Sequence, residues 1–147
     1  MGALMHHVSI CVTDMDRSLK LFRDILGFTL AWRRDRIKGG VLSRLLGIER
    51  MEADVAYLEI GPKRTGVEIS RLLHPVMEDA PRDFGSAGTC SFGLRVDNLD
   101  ELHARLAQEG WPPLSPCLDL NPPGEGTARA FCVKIEPGVL LELIEMT

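Results

Sequence analysis

The chain has 147 residues, 45% of them hydrophobic and 26% charged, which is enough to bury one good core or two small ones packed together. Its formal net charge of −4 and the lack of a long basic run argue against binding to a nucleic acid backbone. No run of about 18 apolar residues is present, so no membrane span is predicted. The N-terminus has no secretory pattern, and we therefore expect a cytoplasmic protein.

The first predicted unit is a strand followed by a helix. Residues 6–12 alternate apolar and polar side chains, which is typical of a strand with one apolar and one mixed face. Residues 14–27 then change to helical period, with Asp14 or Asp16 expected as the N-cap and Gly27 as the end of the helix.

Three more strands are predicted in the first half of the chain. Residues 28–34, 53–61 and 65–73 are apolar runs bounded by turn or charged residues, and we expect a largely antiparallel meander. The last two runs are joined by a hairpin turn at residues 61–66. Residues 39–49 indicate a short helical or loop excursion.

The same pattern then restarts. Residues 91–97 predict a strand, 98–110 a helix, and 128–136 and 138–145 the closing strands. The proline-rich stretch at 112–127 predicts only a short or edge strand followed by a mobile loop.

A shift of the sequence by about 84 positions aligns the two halves. It pairs Val8 with Phe92 and Ile10 with Leu94, whereas His7 falls on a serine, Ser91. The sequence therefore predicts two copies of a strand, a helix and three strands. The first module spans 1–75, a linker spans 76–90 and the second module spans 91–147.

Two carboxylates interrupt otherwise apolar strands. Glu68 lies between two aliphatic residues in the first module, and Glu142 does so in the second. Strand alternation places each on the face opposite the core. That face could be open solvent, or it could line a cup in which His7 and the carboxylates hold a divalent cation. Spacing leaves both alternatives open.

Four segments carry a resemblance to a known family. They are "HHVSICVTDMDRSLKLFRDILGF", "VAYLEIGPKRTGVEISRLL", "SFGLRVDNLDELHARLAQEGW" and "GVLLELIE". Together they resemble the vicinal oxygen chelate (VOC) superfamily, which includes glyoxalase I, methylmalonyl-CoA epimerase, extradiol dioxygenases and the bleomycin and fosfomycin resistance proteins. The pattern is most similar to methylmalonyl-CoA epimerase and glyoxalase I-like proteins.

The resemblance implies an α+β fold in which two tandem βαβββ modules form one VOC domain. Their strands would build an incomplete eight-stranded barrel, or cup, with the helices outside. It also implies a homodimer and a small-molecule substrate or ligand. Charge and composition predict no nucleic acid or membrane partner.

The resemblance further implies a metal site. Its four ligand positions fall on His7, Glu68, Ser91 and Glu142. A neutral serine hydroxyl is a poor substitute for an imidazole, so we expect a divalent ion of unknown identity to be bound weakly by His7, Glu68 and Glu142, or to be absent. Recruitment of Cys90 in place of the missing histidine is a further alternative.

The leading functional hypothesis is a metal-dependent lyase, isomerase or epimerase that moves a proton next to a carbonyl of a small metabolite or thioester. Glu142 or Glu68 would carry the proton. The alternative is a metal-free protein that sequesters a small molecule, as antibiotic-binding relatives do. Extradiol dioxygenase chemistry is less favoured, because it needs the histidine that Ser91 replaces.

Other side chains are assigned with less support from the pattern. Arg95 shares the face of Ser91, and either residue could bind substrate; a structural ion pair is the alternative for Arg95. Trp32 and Tyr57 are expected to pack within the fold rather than bind a ligand.

Overall fold

A computed structural model describes residues 2, 4–61, 65–76, 85–121 and 126–147. The chain divides into two compact units, Met1–Glu78 and Asp79–Thr147. Most of the predicted linker, the tip of the first hairpin and the predicted mobile loop lie outside the described residues. No helix in the described ranges is long and apolar enough to cross a membrane.

The first module is a four-stranded sheet with the strand order β1-β4-β3-β2. Strand β1 is parallel to β4, while β3 is antiparallel to both β4 and β2. Its elements are β1 (His7–Cys11), α1 (Met15–Leu19), a π-helical segment (Lys20–Ile25), β2 (Thr29–Lys38), α2 (Gly40–Leu46), β3 (Glu52–Ile60) and β4 (Thr65–His74).

The second module repeats this topology with the strand order β5-β8-β7-β6. Again the first strand is parallel to the last, β8, and the remaining pairs are antiparallel. Its elements are β5 (Cys90–Arg95), α3 (Leu99–Gln108), the short β6 (Leu118–Leu120), β7 (Ala128–Glu136) and β8 (Val139–Met146). The predicted α+β fold of two βαβββ modules is confirmed.

The first helix begins where its sequence predicts. The Asp14 side chain caps it by accepting a hydrogen bond from the backbone N–H of Arg17 at 3.0 Å. The helix then widens into a π-helical turn, in which the N–H of Leu26 donates to the carbonyl of Leu21. In this turn the adjacent residues Leu21 and Phe22 are both buried.

Each sheet buries one face against a helix, α1 in the first module and α3 in the second. In the first module Ile10 and Ile69 point into the core with Phe22, and in the second Leu141 and Leu143 do so. Strand alternation then sends the intervening side chains to the opposite face, which we call the polar face of each sheet.

Helix α2 covers one end of the polar face in the first module. Leu42 of the helix and Ile48 just after it pack against a buried cluster that includes Ala53 and Val55 on β3. Val55 is two residues before Tyr57, so both lie on the same face of the strand. The predicted excursion at 39–49 is therefore a helix that limits how much of this face is open.

Gly66 is required where β3 and β4 pair. A Cβ atom there would overlap the carbonyl oxygen of Leu58 on the neighbouring strand. At Gly93 on β5 the nearest atom would be the movable Cδ1 of Ile144, at 3.1 Å.

We therefore expect Gly66→Ala to lower the free energy of unfolding by about 2 to 3 kcal/mol, because backbone must move to accommodate the methyl group. Gly93→Ala is the control and should cost less than about 1 kcal/mol. Urea unfolding followed by circular dichroism measures both. Equal effects of the two substitutions would contradict the close approach at Gly66.

Candidate functional site

The polar face of the first sheet brings His7 and Glu68 onto one surface. His7 and Ser9 are on the same face of β1, and Ser9 lies opposite Glu68 in the parallel register with β4. The Ser9 hydroxyl donates a hydrogen bond to Oε1 of Glu68 at 3.1 Å. Glu68 is half-buried between the buried Val67 and Ile69, as its alternation predicts. Its carboxylate is therefore held in place from the neighbouring strand.

An aromatic cluster adjoins this carboxylate. Tyr57 lies opposite Glu68 in the β3–β4 register, and its ring is 5.8 Å from that of His7 in an edge-to-face arrangement. His6 is part of the same cluster, with its Nδ1 2.7 Å from Nδ1 of His7, so one imidazole donates and the other accepts. His6 is exposed, and the sequence analysis did not include it among the site residues.

The polar face of the second sheet presents Glu142 among small neighbours. Glu142 lies opposite Gly93 on β5 and Cys132 on β7, and it is half-buried. No residue in the described part of the chain donates a hydrogen bond to its carboxylate or forms an ion pair with it. Burial raises the pKa of the Cys132 thiol, and the nearby negative charge of Glu142 raises it further.

Strand register identifies equivalent positions in the two modules. The equivalent pairs are His7 and Ser91, Ser9 and Gly93, Glu68 and Glu142, and Tyr57 and Cys132. Only the glutamate is the same in both. The first module surrounds it with hydrogen-bonding and aromatic groups, whereas in the second no described residue donates a hydrogen bond to it.

The predicted metal ligands are divided between the modules. His7 and Glu68 supply an imidazole nitrogen and a carboxylate from one face, and this donor chemistry suits a borderline divalent cation. Glu142 and the mismatched Ser91 belong to the second module. Among the described residues no group of three or more His, Cys, Asp or Glu side chains is placed to hold a metal ion. The ligand set stays a prediction.

Arg95 and Ser91 are both exposed on the polar face of β5. Arg95 makes no ion pair or hydrogen bond with any residue that the structure describes, so the structural ion pair considered from sequence is not found there. Cys90 is also exposed, but strand alternation directs it away from the face of Ser91. A replacement of the missing histidine by Cys90 is therefore not supported.

Two cavities lie beside α2 rather than at the predicted site. One of about 750 Å³ is lined by residues that include Arg44 and Arg50, and one of about 500 Å³ by residues that include Lys38 and His74. Neither lining contains a predicted site residue.

The sequence of this chain was compared with known proteins. The model of the Glyoxalase/Bleomycin resistance protein/Dioxygenase superfamily matches residues 4–130. No curated protein matches the sequence.

Solved structures share the fold at low sequence identity. A glyoxalase family protein from Bacillus cereus is 23% identical with a TM-score of 0.81, covering 96% of this chain and 92% of that one. A second structure is the fosfomycin resistance protein FosX from Listeria monocytogenes, complexed with Mn(II) and sulfate ion. It is 12% identical with a TM-score of 0.61, and the match covers 100% of this chain and 94% of that one. A glyoxalase I mutant from Zea mays is 22% identical with a TM-score of 0.63, covering 95% and 44%.

The proximity of Glu142 to Cys132 can be tested through thiol reactivity. Replacing the carboxylate in Glu142→Gln removes a negative charge that disfavours the thiolate, so the pKa of Cys132 should fall. At pH 8.5 the alkylation rate of Cys132 by iodoacetamide should then rise by about threefold. Peptide mass spectrometry separates Cys132 from the exposed Cys11 and Cys90.

Glu68→Gln is the matched control, because that glutamate occupies the equivalent position in the other sheet. It should leave the alkylation rate of Cys132 unchanged. An unchanged rate in Glu142→Gln would show that the carboxylate does not face the thiol.

Proposed function

Because the chain belongs to the glyoxalase/bleomycin resistance/dioxygenase superfamily, we propose that it is a lyase or isomerase that moves a proton next to a carbonyl group of a small metabolite or thioester. The observation that carries this proposal is the state of Glu142. It is a half-buried carboxylate on the polar face, and no described residue satisfies its oxygens.

Glu142 has the features of a proton carrier. A general base needs a lone pair that is available to the substrate, and the neighbours Gly93 and Cys132 offer no strong donor that would occupy it. The flanking residues on its own strand, Leu140 and Ile144, share its face and are apolar. No described residue donates a hydrogen bond to the carboxylate, although Ser91 and Arg95 lie on the same face opposite these two residues.

Glu68 has a different environment and a different proposed role. The Ser9 hydroxyl fixes one of its oxygens, which suits a carboxylate that must stay in place as a ligand. We assign Glu68 and His7 to the predicted metal set, together with Glu142. When bound, a divalent ion would supply a Lewis acid that polarises a carbonyl oxygen. The complex of FosX with Mn(II) supports a divalent ion as the cofactor to test first.

The second candidate function is metal-free binding of a small molecule. It is favoured by Ser91, which places a weak ligand where the family resemblance implies an imidazole. In this case Arg95, exposed and without an ion pair to a described residue, would bind an acidic group of the ligand. For both candidate functions we also propose the homodimer and the cytoplasmic location that were predicted from the sequence.

Proton transfer can be measured before the substrate is known. Enzyme in D₂O is incubated with a panel of carbonyl compounds and thioesters that carry a hydrogen on the carbon next to the carbonyl. Proton NMR then follows the loss of that hydrogen signal. We expect exchange with at least one compound, and a fall of about 100-fold or more in Glu142→Gln.

Glu101→Gln is the control for this substitution, since Glu101 is an exposed residue in the first turn of α3. It should exchange at the wild-type rate. Wild-type exchange in Glu142→Gln would remove Glu142 as the proton carrier, and exchange with no compound would favour the binding protein.

Metal binding separates the two candidate functions. We expect the wild-type protein to bind Mn²⁺ weakly in isothermal titration calorimetry, and Ser91→His to bind it about tenfold or more tightly because an imidazole replaces a hydroxyl. Glu68→Gln should weaken binding. Ser86→His adds a histidine at a position that no ligand pattern includes, and it serves as the control.

Tight binding of small molecules by a wild-type protein that takes up no Mn²⁺ would contradict the metal-dependent form of the proposal. It would leave the metal-free binding protein as the better description.

A further inference from the structure

Trp32 forms an exposed aromatic surface on the first module. Its indole stacks on the ring of Tyr57 with 5.9 Å between centroids and 12° between planes. Tyr57 is only 7% exposed, but Trp32 is 41% exposed, so one side of the indole is supported and the rest meets solvent. Trp32 therefore packs against Tyr57, as expected, but part of its indole stays open to solvent.

A cation that has no ion-pair partner among the described residues lies next to this indole. Arg34 is two residues after Trp32 on β2, and the β2–β3 register is regular between them, with Trp32 opposite Tyr57 and Arg34 opposite Val55. The two side chains therefore share a face, with their Cα atoms about 7 Å apart. Arg34 is exposed and makes no ion pair or hydrogen bond with any described residue. Its neighbour Arg33, on the other face, is bound to Asp16 and Asp35.

This pair belongs to the same polar face as the candidate site. The register across the sheet runs from Ser9 to Glu68, from Glu68 to Tyr57 and from Tyr57 to Trp32. Tyr57 contacts the His7 ring on one side and stacks with Trp32 on another. A ligand on the indole would therefore lie at one end of a continuous row of polar and aromatic side chains.

The chemistry of the pair defines the ligand. An indole face held rigid by a second ring binds flat, conjugated groups through stacking. A guanidinium without a partner binds a carboxylate through two parallel hydrogen bonds. We propose that Trp32 and Arg34 form a binding platform for a planar, conjugated group that carries a carboxylate. In the second module the position equivalent to Tyr57 is Cys132, so the platform is specific to the first module.

Three matched probes test planarity and charge separately. Phenylglyoxylate carries a flat benzoyl group and is anionic, cyclohexylglyoxylate has the same acid on a non-planar ring, and methyl phenylglyoxylate carries the flat benzoyl group but is neutral. The chain has two tryptophans, and Trp111 is 2% exposed, so its indole N–H signal is an internal reference. Titration followed by NMR should shift the Trp32 indole signal but not that of Trp111, with phenylglyoxylate bound most tightly.

Substitutions test which side chain is responsible for the preference for a flat ring and which for the preference for a negative charge. Trp32→Leu should weaken phenylglyoxylate binding by about fivefold, so that phenylglyoxylate no longer binds more tightly than cyclohexylglyoxylate. Trp32→Phe should keep much of the difference in affinity between these two acids. Arg34→Gln should weaken both acids by about tenfold and leave the neutral ester unchanged. Arg33→Gln is the control on the opposite face and should leave all three affinities unchanged.

The proposal is overturned if phenylglyoxylate shows no saturable binding, or if Trp32→Leu binds the three probes as the wild type does. It is also overturned if Trp32→Leu changes the oligomeric state, measured by light scattering, without changing probe affinity, because the indole would then serve an interface. These are equilibrium measurements without turnover. Failure of Glu142 as the proton carrier would leave them unaffected, and failure of the platform would leave the Glu142→Gln result unaffected.

Discussion

The parallel pairing of the first strand with the last strand in each module is the constraint on which the candidate site depends. A parallel pair cannot be closed by a hairpin, and here the helix and two further strands of the module separate β1 from β4 and β5 from β8. The pairing brings residues that are 59 positions apart, such as Ser9 and Glu68, into contact. A slip of one residue would turn Glu68 into the core and Val67 out of it.

The same constraint operates twice and produces two chemically different results. The backbone places a glutamate at the same register in both sheets, at Glu68 and Glu142. What differs is the residue opposite, since Ser9 donates a hydrogen bond and Gly93 has no side chain to do so. A duplicated fold can therefore provide one carboxylate that accepts a hydrogen bond and one to which no described residue donates, with the same strand pairing in both modules. This difference carries more functional information than either glutamate does alone.

Much of this arrangement was predictable from sequence because it depends on local pattern. Alternation around Glu68 and Glu142 predicted their face, the Asp14 cap predicted the start of α1, and the bounds predicted for β7 agree with the structure. The hydrogen bond from Ser9 was not predictable, since it depends on the register between distant strands. The exposure of Trp32 could not be predicted either, because it depends on how the edge strand β2 pairs with β3 and on the irregularity between Leu30 and Trp32.

Strand β2 is an edge strand of its sheet, and it also carries the two residues of the proposed platform. An edge strand exposes unpaired backbone groups, and charged side chains along it discourage pairing with another chain. Arg33 and Asp35 meet this need on one face, where they bind each other. On the other face Arg34 has no partner among the described residues. It lies beside the indole of Trp32, which stacks on the ring of Tyr57. Edge protection requires the charge but not the ordered ring stack. The stack gives the charge a fixed neighbour, and this combination is the basis of the binding platform that we propose.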